Sequence, residues 1–110
     1  MEKGISFYFG FNSDCKDRAK RIKEIGFDTI MTNQDERFID QNGDINFQMS
    51  IFKENNLNVS SLHNQYKTEE LSHFWENDEI GEKLEKTLIF DILTAKDKNF
   101  KCVVVHMVGN

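Results

Sequence analysis

The apolar pattern of this chain changes period along its length, from two residues to nearly four and back. That alternation limits the fold more than any other feature. Residues 4–9, GISFYF, alternate Ile5, Phe7 and Phe9 against Ser6 and Tyr8, the period of a strand. Asn-Ser-Asp at 12–14 offers helix N-caps, and Cys15, Ala19, Ile22 and Ile25 follow at near-helical spacing. Gly26 sits where a helix C-terminal glycine belongs. FDTIMT, 27–32, reads as a second strand, and NQDERFIDQNGD as a polar connection. Ile45, Met49 and Phe52 then share one helical face, and LNVSSLH, 57–63, reads as a third strand. Ile80, Leu84, Leu88 and Ile92 repeat every four residues with Ala95 three further on, which predicts an amphipathic helix over 78–97. Ile89, Phe90 and Leu93 widen its expected buried face near the C-terminal half. KCVVVHM, 101–107, reads as a fourth strand.

The order β-α-β-α-β-α-β implies right-handed crossovers and a parallel sheet. An open doubly wound sheet and part of a (β/α)8 barrel both satisfy it. The first predicts a glycine-rich phosphate turn after strand 1, and FGFNSD is not GxGxxG. The barrel is therefore the expected fold class: α/β, the amino-terminal half of a TIM barrel. A whole barrel takes about 250 residues. The 110 residues here make one partial domain, 1–110, holding the first four βα units and ending after strand 4. The net charge of −5 disfavours a broad nucleic-acid footprint. No apolar run approaches the ~20 residues that span a bilayer. The start MEKGISFYFG enters a strand pattern directly, so no signal peptide is read. With Cys15 and Cys102 far apart and without metal or redox spacing, a reducing cytoplasm is the expected location.

Parallel α/β folds collect chemistry at the carboxyl ends of their strands. The tips here are Asn12, then Thr32-Asn33-Gln34, then His63-Asn64, then His106. Neighbouring strands lie ~4.8 Å apart, so two imidazoles at adjacent tips can share one metal ion or one substrate. They can equally be hydrogen-bonded residues lining the barrel mouth. His73, beside Phe74 and Trp75, reads as a surface or packing residue. Trp75 either walls a substrate pocket or caps the long helix as core. Glu69-Glu70 and Asp78-Glu79 read as charges at helix starts. Cys102, flanked by valine, reads as buried and inert.

IKEIGFDTI, VSSLHNQY, FWENDEIGE and CVVVHMVG follow one another in order, and together they resemble the amino-terminal half of the xylose isomerase-like TIM barrels. This is the sugar phosphate isomerase/epimerase superfamily, which also holds the apurinic-site endonucleases. Trp75, Asp78 and Gly81, as W-x-x-D-x-x-G, and the two tip histidines are the most specific part of the resemblance. It implies a divalent metal (Mn, Zn or Mg) at the carboxyl face of the complete barrel, where metal-assisted proton transfer occurs next to a carbonyl. It also implies that His63 and His106 ligate metal or contact substrate; Asn12, as the first strand tip, and Trp75, as a pocket wall, are the further expected substrate contacts. The carboxylate ligands of the sugar epimerases lie on later strands, so the catalytic residues stay unassigned and this chain alone is expected to be inactive. The expected partner is a sugar or sugar phosphate, not a membrane or nucleic acid. An apurinic-site endonuclease-like barrel and a non-catalytic, self-associating half-barrel are the alternatives. The apolar edges ISFYF and CVVV predict a homo-oligomer, or cover by a missing carboxyl-terminal half.

Overall fold

A computed structural model describes residues 3–7 and 13–106. Its strands are β1 (Gly4–Ser6), β2 (Thr29–Asn33), β3 (Asn58–His63) and β4 (Cys102–Val104). Its helices are α1 (Cys15–Ile25), α2 (Glu36–Asn42), α3 (Ile45–Glu54) and α4 (Glu79–Asp97), and a 3-10 segment, Thr68–Trp75, precedes α4. The strands form one parallel sheet in the order β1-β2-β3-β4. This is the topology of a partial (β/α) half-barrel, as the alternating periods predict.

Each α-helix starts on an aspartate whose carboxylate accepts a backbone N–H of the first turn: Asp14, Asp35, Asp44 and Asp78. Gly26 ends α1 at φ 114°, a left-handed conformation that suits glycine, and its N–H bonds back to Ile22 and Lys23. The seven-residue α2 lies within the stretch expected to be a polar connection. It is too short to show a helical period, and its cap, Asp35, is the signal that marks it.

The strand order decides where the core lies. Successive right-handed crossovers between sequential neighbours put every helix on the same face of the sheet. Ile5, Phe7, Ile30 and Val59 pack against Cys15, Ala19 and Ile22 of α1 and Ile51 and Phe52 of α3. Leu62 and Val103 pack against Ala95 of α4, with Phe100 just beyond it. Side chains alternate across a strand, so Ser6, Met31, Asn33, Ser61, His63, Cys102 and Val104 face the other way. A register shift between Ile30 and Met31 sets Ile30 opposite Val59 but Met31 opposite Ser61. This bulge keeps Leu62 on the helix face and His63 on the open one.

Three packing expectations are corrected. Cys102 is exposed, because among the described residues no helix covers the face it shares with His63. Trp75 is 65% exposed and is not a core cap; its ring partner is Phe74, edge-on at 5.7 Å. The broad apolar face of α4 is not buried either, since Ile89, Phe90, Ile92 and Leu93 are all exposed. The stripe that faces the sheet is Gly81, Leu84, Asp91 and Ala95, with Leu88 half-buried between them. An aspartate takes the place expected for Ile92.

Candidate functional site

The open face carries its chemistry at the carboxyl ends of the central strands. Asn33 and His63 are register partners on β2 and β3, and His63 pairs in turn with Val104 on β4. His106 lies two residues beyond Val104, and its ring centroid is 4.7 Å from that of His63. Tyr66, from the loop after β3, completes a three-ring cluster at 5.6 Å from His63 and 5.5 Å from His106. The two tip histidines thus come together. Tyr66 is a member that strand-tip reasoning missed, because it sits three residues past the tip.

Nδ1 of His63 lies 2.9 Å from the carbonyl oxygen of Asn64. A carbonyl only accepts, so the neutral ring carries its proton on Nδ1 and its lone pair on Nε2. Burial, with His106 adding to it, pulls the His63 pKa below its ordinary value of 6.5, against the opposing effect of the Asn64 carbonyl. A neutral imidazole is the form that binds metal or accepts a proton. Beside it opens a cleft of about 470 Å³ between the β2 and β3 tips. Asn33, Asp35, Arg37, Phe38 and Gln41 line it along with His63 and Tyr66. Trp75 does not line this cleft. Asn12 lies outside the described residues.

A second cluster stands at the start of α4. Ligand atoms of His73, Glu76 and Asp78 lie within 4.8 Å of one another, a donor set and spacing compatible with a divalent cation. Among the described residues it is the only group of three or more such ligands. No carboxylate among the described residues joins His63 and His106 in such a group, and the two supply two nitrogen donors, half of a tetrahedral site.

This second cluster also explains the W-x-x-D-x-x-G pattern physically. Asp78 is the N-cap, with Oδ1 accepting from Gly81 N at 2.8 Å and Oδ2 lying 2.8 Å from Nδ1 of His73. Glu76 stands 3.5 Å from the same nitrogen. A Cβ on Gly81 would run into the carbonyl oxygens of Glu76 and His73, so only glycine fits. The hydrogen bond to Asp78 raises the His73 pKa above its ordinary value. The Gly81 N–H, followed by His73, lowers that of Asp78.

Among the described residues no helix is long and apolar enough to cross a membrane. No family model matches the chain, and no curated protein or solved structure matches it. The parallel four-stranded sheet alternating with helices stands as a generic TIM-barrel-like α/β fold.

Proposed function

We propose that this chain is the front half of a sugar or sugar phosphate isomerase/epimerase-type barrel, and that the β3 and β4 tips form part of its substrate and metal site. The observation that supports this most is the His63–His106 pair, two imidazoles 4.7 Å apart at adjacent tips, on the sheet face that no helix of the described residues covers. Nε2 of a neutral His63 is a ligand for Zn or Mn, and His106 supplies a second imidazole. A divalent cation bound there would polarise a substrate carbonyl or hydroxyl. Its remaining ligands would be substrate oxygens and groups outside the described residues. In the adjoining cleft, Arg37 offers a cationic fork to an anionic group, and Asn33 and Gln41 offer amides to hydroxyls. The described residues supply two nitrogens to such a cation, and on that donor set the expected metal affinity is weak.

The reading is tested by adding zinc, manganese, or a panel of sugar phosphates to the chain while following histidine resonances. Perturbation of His63 and His106 together supports it. Perturbation of His73 alone would move the metal to the start of α4 and overturn the assignment. Tight, stoichiometric binding that His63→Ala abolishes would mean the tips hold a complete ligand set.

The sheet supports a second reading, a self-associating half-barrel. β1 and β4 are both edges of one parallel sheet and run in the same direction. A two-fold axis along the strands would set β4 of one copy beside β1 of another and close eight strands. Light scattering at about twice the 12.9 kDa chain mass supports this reading, and a stable monomer removes it.

A further inference from the structure

Asp91 has no place in the ligand set proposed above, yet it is the most enclosed carboxylate among the described residues, at 0% exposed. An apolar side chain at this position on α4 would pack more cheaply than a charged one. The carboxylate is instead surrounded by neutral amides. Oδ1 accepts from Gln34 Nε2 at 2.6 Å and from Gln65 Nε2 at 2.9 Å. Oδ2 accepts from Asn64 Nδ2 at 2.8 Å and from the Gln65 backbone N–H at 2.9 Å. These donors come from the loops that leave β2 and β3, so one side chain ties both tips to α4.

Asn64 is the residue through which that tie reaches the imidazoles. Asp91 holds its side chain, and its backbone N–H donates to the Val104 carbonyl of β4 at 2.8 Å. Its own carbonyl accepts from His63 Nδ1 at 2.9 Å. That carbonyl accepts only, so its orientation favours the proton on Nδ1 of His63. The geometry points to Asp91 as the positioning residue of the strand-tip site, holding Asn64 so that its carbonyl takes Nδ1–H of His63 and the lone pair lies on Nε2. Such outer partners set the tautomer of an imidazole that binds metal or accepts a proton. This rests on reading the tips as the binding site, but its primary readout needs no ligand.

The test is a long-range proton–nitrogen correlation spectrum of the histidine-labelled chain at alkaline pH, where His63 is neutral. The parent chain is expected to show His63 as the single Nδ1–H tautomer. Asp91→Ala frees the Asn64 side chain and the Gln65 N–H, and His63 should lose its single Nδ1–H tautomer and show the Nε2–H form as well. Asp91→Asn keeps one oxygen for Asn64 and Gln65 N–H, and the Gln34 and Gln65 amides can turn their oxygens toward the new NH₂. The Nδ1–H tautomer should therefore survive in it, which a merely structural role would not predict. Zinc alone serves as the binding probe, with its affinity falling about 10-fold or more in Asp91→Ala. An unchanged tautomer in folded Asp91→Ala overturns the proposal. If that variant does not fold, Asn64→Ala decides on the same criterion. A tautomer change without any zinc binding by the parent chain would leave the positioning role standing and sink the reading of the tips as a metal site.

Discussion

His63 and His73 lie ten residues apart, each ring holds a hydrogen bond through Nδ1, and their protonation is pushed in opposite directions. His63 meets a neutral carbonyl in a half-buried place, and burial favours the uncharged ring. His73 meets the carboxylate of Asp78, which favours the charged ring. The lesson is that three ligand-type side chains in proximity, as at His73, need not be the better chemical site. Asp78 is already engaged as a helix cap, and the positive end of α4 works against a bound cation. At the tips, His63 opens onto a cleft, with the His106 ring 4.7 Å from its own.

The contrast is easiest to break at Gly81. If the start of α4 is a structural clasp, Gly81→Ala should destabilise the chain by about 3 kcal/mol in urea unfolding, because the methyl group displaces two backbone carbonyls. Alanine's better helix propensity recovers only about 1 kcal/mol of that kind of cost. A neutral or stabilising result would show that the clasp is loose and would return the cluster to consideration as a cation site.

The opposite protonation preferences sharpen the contrast through pH. For His73, with a folded pKa raised above 6.5, the contribution is complete below 6.5 and is lost as pH rises through the folded value. The lowered pKa of Asp78 makes its contribution present above 3.8 and lost as pH falls through the folded value. With His63 the folded pKa lies below 6.5, so the unfolded chain takes up its proton first and stability is lost as pH falls from 6.5. Unfolding midpoints followed between about pH 5 and 8 should therefore respond oppositely to two substitutions. His73→Gln should remove the loss on the alkaline side, and His63→Gln the loss on the acid side. Changes of the same sign in both variants would contradict the two environments described.

The smallest effect belongs to His106, which is exposed. His106→Ala should alter stability by no more than about 0.5 kcal/mol while weakening any metal or sugar phosphate response at His63. A larger loss of stability would mark His106 as a packing residue and remove it from the proposed site.

Much of this arrangement was legible before folding was considered. The alternation of periods identifies four strands, and Asp14, Asp44 and Asp78 stand before apolar-periodic runs where N-caps belong. Glycine at position 26 ends α1 as its place suggests. His63 and His106 can be assigned to neighbouring tips once sequential strands are taken as sheet neighbours. Tyr66 and the lining of the cleft could not be assigned, because loop residues follow no period.

What the amino-acid order determined by itself was local: which segments form strands and helices, where most helices start, and which residues stand at strand ends. These follow from side-chain alternation, capping and backbone preference, which act over a few residues. What only the tertiary structure decided was which apolar and polar residues are covered. Cys102 is exposed because the helices of the described residues lie on the other face of the sheet. Ile92 and Phe90 are exposed while Asp91 between them is buried. Hydropathy ranks those three the other way, but Asp91 alone meets the amides of Gln34, Asn64 and Gln65, and those hydrogen bonds offset the desolvation of its carboxylate. Those donors lie 26 to 57 residues away along the chain. No local pattern can bring them to one carboxylate; the packing of α4 across the β2 and β3 tips does.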